Sequence, residues 1–179
     1  MRNVIRIWLV LSVPIVLTMV MVRAVTMPWY PAWEYGRSDF PADPYGMDPV
    51  RRLRLARAAI RYLNRPRNDA VLAALELPDG RPAFNERELS HMVDVKRVYD
   101  RLTLTAAGML VIAVAGAVYL ADRDEIETIG QGLRGGGILT LALIGFLALW
   151  MLVGFNAFFT WFHRLFFESG TWLFRTSDT

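Results

Sequence analysis

The chain has two histidines among 179 residues and no cysteine, so the groups able to carry a proton near neutral pH are quickly found. His91 lies in FNERELSHMVDVKRVYDRL, residues 84–102, and His163 in FFTWFHRLFF, residues 158–167. A neutral imidazole, with a reference pKa of about 6.5, can take a proton from an amine or hydroxyl and return it to a leaving oxygen. Glu88 and Asp94 stand at i−3 and i+3 of His91 and are candidate orienting carboxylates, whereas Ser90 points elsewhere on a helix. Asn156 precedes His163 by two turns and shares its face. Zinc is the competing use of the same groups, with Glu88 or Asp94 joining the two histidines. The spacing fits no standard ligand set, and there is no thiolate to contribute. No Gly-x-Ser-x-Gly elbow, His-Glu-x-x-His helix, phosphate loop or dinucleotide fingerprint is present. A lone histidine at a membrane boundary more often serves as a structural hydrogen-bonding residue; two of two at one place point to chemistry.

The elements that must bring them there are three apolar blocks, residues 7–27, 102–120 and 137–162. A soluble core spreads its apolar residues, whereas blocks of this length each cross a hydrocarbon layer of about 30 Å at ~1.5 Å per residue. The fold class is therefore mainly α, a polytopic membrane bundle with a small α-rich domain between its first two membrane helices. The expected organisation is membrane helix 1–27, extracytoplasmic domain 28–101, membrane helix 102–120, cytoplasmic loop 121–136, membrane helix 137–162 and extracytoplasmic segment 163–179. The first block ends at Arg23 with no Ala-x-Ala site, which reads as a retained anchor and not a cleaved signal.

Arg2 and Arg6 place the N-terminus in the cytoplasm. Trp29, Tyr30, Trp33 and Tyr35 after the first helix and Trp161, Phe162, Phe166, Phe167 and Trp172 after the third form one outer aromatic belt. Arg23, just below that belt, either snorkels to the headgroups or meets a polar lipid group. Residues 29–49, rich in Pro, Gly and aromatics, predict an irregular crossing. Pro49 then opens a helix with Leu53, Ala56, Ile60 and Leu63 on one face and Arg54, Arg57 and Arg61 on another. Such a stripe suits anionic headgroups or is simply solvated; nucleic acid is not an expected partner on this side. Pro66 stops that helix, and Pro78-Asp79-Gly80 predicts a turn closing a small hairpin.

Asn85 with Glu88 forms a capping box, so a helix starts near Glu86 and runs into the second membrane block. Gly108, Ala113, Gly116 and Ala117 permit close packing there. The Gly135-Gly136-Gly137 run predicts a break before the third helix. Because the second membrane helix runs inward and the third outward, His91 and His163 end on the same side of the membrane in either orientation. Acyl transfer at the outer leaflet suits such a pair.

The pieces YGRSDFPADPYGM, FNERELSHMVDVK and FHRLFFESGTW resemble the bacterial membrane-protein family that includes the lipoprotein intramolecular transacylase, Lit, over nearly the whole chain. The resemblance implies transfer of an acyl chain from the glyceryl group of a diacylated lipoprotein cysteine to that cysteine's α-amino group. It implies His91 and His163 as catalytic residues, diacylated lipoproteins and membrane lipid as partners, and no metal or cofactor. Arg23 and the Arg54, Arg57 and Arg61 stripe would steady lipid headgroups. The family carries a fourth membrane helix, which would begin near Arg175-Thr179, and the expectation is that it is missing from this chain. Two other classes compete: a non-enzymatic membrane protein binding lipid or a partner through its outer domain, and a metal-dependent membrane hydrolase.

Overall fold

The computed structural model describes residues 1–44, 46–65, 70–77, 80–167 and 172. Among them are six helices: α1 (Arg2–Val25), α2 (Trp29–Tyr35), α3 (Pro49–Asn64), α4 (Ala70–Ala73), α5 (Glu86–Ala121) and α6 (Ile126–Phe166). Three of these, α1, α5 and α6, are long and apolar enough to cross a membrane. The chain divides into two compact units, one of residues 1–21 and 100–163, the other of residues 22–99 and 164–179.

The first unit packs α1 between parts of α5 and α6. In hydrocarbon every backbone group must be paired internally, which is why these apolar stretches are built as helices. Leu9, Ala113 and Leu120 are its buried centre, with Ile5, Trp8, Tyr119 and Ile129 around them. Close approach depends on small residues. A Cβ added at Gly116 would come within 2.7 Å of Ile5, at Gly132 within 2.8 Å of Leu9 and at Gly136 within 2.6 Å of Val13. The glycine run expected to interrupt the chain is therefore inside α6, which begins at Ile126. Without a hydrophobic driving force between membrane helices, glycine serves contact there and not breakage. Gly108 has nothing near it, so only part of the expected small-residue face in α5 is used. One end of the unit carries a polar cap: Arg2 Nη1 lies 3.2 Å from Glu125 Oε1, and Arg6 Nη1 donates to Gln131 Oε1 at 3.2 Å.

The helical course of α6 breaks at Gly154, whose φ of −156° and ψ of 64° are not helical. Trp150 before the break meets Phe158 and Trp161 after it, at ring-centroid separations of 5.5 and 4.9 Å.

The second unit is built on α3. Asp48 caps its N-terminus by accepting from Arg51 N at 3.0 Å, and Pro49 sits in the first turn where a missing N–H costs nothing. At the other end the buried Lys96 donates to the Leu63 carbonyl at 2.9 Å, a cation on the last turn of a helix. The fully buried residues of α3 are Ala58 and Tyr62, which pack with Leu72, Phe84, Leu89 and Met92. Leu53, Ala56 and Ile60 are only half-buried, so the deepest face lies elsewhere on the helix than the leucine spacing predicts. Arg54, Arg57 and Arg61 are exposed.

Residues 29–49 hold more order than expected. Trp29–Tyr35 is a helix because Pro31 falls in its first turn, a position that needs no N–H. The segment that follows is tied down by Arg52, whose guanidinium lies over Tyr35 and Phe40 and donates to the Pro41 carbonyl at 3.2 Å. The expected hairpin is a single bridge between Glu76 and Pro82, with Leu77 N donating to Arg81 O at 2.8 Å and Gly80 at φ 80°. Pro66, Pro78, Asp79 and the start of a fourth helix at residues 175–179 lie outside the described residues.

Candidate functional site

His163 belongs to the first unit and His91 to the second, and each has its own setting. His163 sits on the part of α6 beyond Gly154. Its Nδ1 lies 2.8 Å from the Phe159 carbonyl one turn earlier. A carbonyl oxygen only accepts, so Nδ1 carries a proton, and whenever the ring is neutral the lone pair is on Nε2. Its ring also packs on Phe159 at 3.9 Å and edge-on to Phe162 at 5.6 Å. These contacts fix the orientation of a basic nitrogen at the half-exposed surface of the unit. Asn156 lies on the same side of the break, exposed, two turns before His163.

His91 is placed by the start of α5. Asn85 Oδ1 accepts from Arg87 N and Glu88 N at 3.0 Å, and Glu88 Oε2 accepts from Asn85 N at 2.7 Å. This is the reciprocal capping box expected from the sequence, and it occupies one oxygen of the carboxylate suggested as an orienter of His91. Asp94 is buried, with 6% exposure, and its Oδ1 accepts from Arg97 Nη1 at 2.7 Å. Its Oδ2 is buried with no hydrogen-bond partner among the described residues. The His91 ring rests against Phe167 at 5.0 Å between centroids.

Arg23 is held in a polar network in the second unit. Its Nη1 donates to Asn64 Oδ1 at 2.8 Å and to Tyr99 OH at 2.7 Å, and Tyr99 OH donates to Asn64 Oδ1 at 2.8 Å. Asn64 Nδ2 in turn donates to Thr26 O at 2.8 Å. The arginine that the sequence leaves either to snorkel or to meet a polar lipid group is bonded to two neutral oxygens from α3 and α5. Tyr99 and Asn64 were not among the site residues expected from sequence, and Phe167 was expected only as part of the aromatic belt. Tyr99 and Asn64 stand 76 and 41 positions from Arg23, and no local pattern links such positions. Just past the C-terminal end of α2 Arg37 donates to both oxygens of Asp39, at 3.0 and 2.7 Å, which holds the Asp39 carboxyl below its ordinary range and raises Arg37. Among the described residues no three histidine, aspartate or glutamate side chains are grouped to share a metal ion.

The fold defines a class: a mainly helical, multi-pass integral membrane protein with three candidate membrane helices and a histidine on each of two of them. Residues 5–179 match the family model described as lipoprotein intramolecular transacylase Lit, and the chain belongs to that family. It is 30% identical over all of its 179 residues, and 80% of the other's length, to an uncharacterized protein of Aquifex aeolicus (strain VF5). Its fold is similar to the membrane integral lipoprotein intramolecular transacylase Lit from Bacillus cereus. The TM-score is 0.79 at 24% identity, over 99% of this chain and 78% of that one. A variant of the same Bacillus protein gives a TM-score of 0.71, over 99% of this chain and 75% of that one.

Proposed function

We propose that the protein catalyses intramolecular acyl transfer on membrane-anchored lipoproteins. In this reading an acyl chain moves from the glyceryl group of a diacylated N-terminal cysteine to that cysteine's α-amino nitrogen. The amine, with an unperturbed pKa of about 8, gives a proton to one imidazole as its nitrogen bonds to the ester carbonyl carbon. The tetrahedral intermediate then expels the glyceryl oxygen, which takes a proton from an imidazolium. An ester C–O bond breaks, an amide C–N bond forms and protons balance. Donor and acceptor belong to one molecule, so positioning contributes much of the rate. His91 and His163 are the proton carriers, with Glu88, Asp94 and Asn156 in support.

The observation that carries this reading is the contact of His163 Nδ1 with Phe159 O, which in the neutral ring makes Nε2 the basic nitrogen. The contact of His91 with Phe167, four residues past His163 in the chain, is consistent with it. The N-terminus is cytoplasmic and residues 28–101 and 163–179 are extracytoplasmic. Arg23, Arg54, Arg57 and Arg61 contact lipid headgroups. The test is mass spectrometry of lipoprotein N-terminal peptides from a bacterium expressing the protein. An N-acyl, mono-O-acyl species is expected; if it never appears, the transacylase reading fails and a lipid-binding role through the arginine stripe of α3 takes its place.

A further inference from the structure

Beyond Gly154 the last stretch of α6 presents two unlike faces. Trp150, before the break, meets Phe158 at 5.5 Å and Trp161 at 4.9 Å between ring centroids. In an unbroken helix Trp150 and Trp161 would be separated by roughly 16 Å along the axis, so the chain turns sharply at Gly154 and folds these rings inward. Asn156, Thr160 and His163 recur at i, i+4 and i+7, on the side of the helix opposite Phe158 and Trp161. The aromatic contacts therefore turn this polar stripe away from the part of α6 that precedes the break.

Thr160 is the one member of that stripe without a part in the acyl-transfer scheme. A threonine inside a helix readily donates to the carbonyl four residues earlier. Thr18 does so to Pro14 O at 2.7 Å, Thr26 to Val22 O at 2.8 Å and Thr140 to Gly136 O at 2.8 Å. Among the described residues the Thr160 hydroxyl has neither that bond nor another. Thr105 shares this property, but it has no histidine within three turns of it. Thr160 is half-buried and one turn before His163, whose ring is kept beside that turn by the bond of Nδ1 to Phe159 O at 2.8 Å. Side chains three apart on a helix have Cβ atoms about 5–6 Å apart. A proton carrier bonded to the nitrogen or leaving oxygen of a tetrahedral carbon and a donor bonded to the oxyanion on that carbon stand roughly 5–7 Å apart, because each hydrogen bond takes about 3 Å. The spacing of Thr160 and His163 meets that requirement, whereas Asn156, roughly 10 Å from His163 along the axis, does not.

We propose that Thr160 stabilises the oxyanion of the tetrahedral intermediate, its hydroxyl donating to the ester carbonyl oxygen as that oxygen gains charge. When the amine nitrogen adds to the ester carbon, the carbonyl π pair moves to oxygen and Thr160 Oγ1–H bonds to it. When the pair returns, the glyceryl oxygen leaves with a proton from an imidazolium, and Thr160 itself gains and loses none. The inference rests on the transacylase reading and on His163 as a proton carrier. The test reconstitutes the full chain in phosphatidylglycerol vesicles with a synthetic diacylglyceryl-cysteine lipopeptide and follows initial rates of N-acyl product by mass spectrometry. Thr160→Val keeps the shape of threonine without its hydroxyl and should lower kcat about 10²-fold with KM changed by less than about twofold, the loss expected on removing one oxyanion donor. Thr160→Ala removes the hydroxyl in a second way and should match it, whereas Thr160→Ser keeps the hydroxyl and should stay within about fivefold of the wild type. A lipopeptide with a phosphonate in place of the transferring ester carries an anionic oxygen where the oxyanion forms, and Thr160→Val should weaken its inhibition by a similar factor. Wild-type rates in Thr160→Val and Thr160→Ala would mean a hydrated surface hydroxyl only and would overturn the proposal. Equal losses in the valine and serine variants would overturn it too, as the mark of a packing role. If the wild type forms no N-acyl product, the transacylase reading fails and takes this inference with it; product from the wild type and from Thr160→Val alike removes Thr160 alone.

Discussion

His163 is oriented by the Phe159 carbonyl together with the rings of Phe159 and Phe162. Replacing it by Gln retains size and a donor but removes the basic nitrogen, so N-acylated product should fall about 10²-fold or more, the usual worth of a general base. Product at wild-type level, read by the same peptide mass spectrometry, would remove His163 from the reaction. Tyr99 is the hub of the Arg23 network, accepting from Arg23 and donating to Asn64. Tyr99→Phe should lower stability by about 1–2 kcal/mol, visible as a reduced Tm in detergent. The exposed Arg37–Asp39 pair gives a pH signature. The Asp39 carboxyl titrates lower in the folded chain than unfolded because Arg37 bonds to it. Its contribution is therefore present above the ordinary aspartate pKa and disappears as pH falls through the lowered folded value. Asp39→Asn should narrow the Tm difference between neutral and strongly acid pH, leaving the acid value unchanged. The two histidines and the capping pair were legible in sequence because residue type and local spacing carry them. Arg23's partners were not, since they come from other helices.

At the scale of elements, glycine has two meanings in this chain that sequence does not separate. At Gly136 an added methyl would meet Val13 at 2.6 Å and the Val10 carbonyl at 3.0 Å, whereas Gly137 has nothing within 4 Å. Gly136→Ala should therefore lower Tm markedly by forcing α1 and α6 apart, while Gly137→Ala should be neutral or slightly stabilising because it limits the unfolded chain. Equal effects would show that the contact between α1 and α6 is not close. The interruption expected in that run occurs at Gly154 instead, in a stretch of aromatics that reads as continuous helix. The start of α5 went the other way: Asn85 and Glu88 bond as their spacing predicts, because a capping box needs only four successive residues.

At the scale of the whole molecule, the absence of cysteine makes membrane orientation directly measurable. With the N-terminus inside, Arg57→Cys should react with a membrane-impermeant maleimide added outside intact cells, and Asp122→Cys only after permeabilisation. The reverse pattern would invert the orientation, with the site facing the cytoplasm. Three apolar blocks and a mainly helical membrane fold were determined by the sequence itself, because in hydrocarbon length and apolarity leave a backbone no alternative to helix. The family was legible too, in motifs spread along the whole chain. What only tertiary structure decided was which glycines make contact, where α6 turns and which oxygens hold Arg23. Each depends on an atom brought close by packing or by a bend in the backbone. Sequence spacing records neighbours along a helix; it does not record what another helix brings to it.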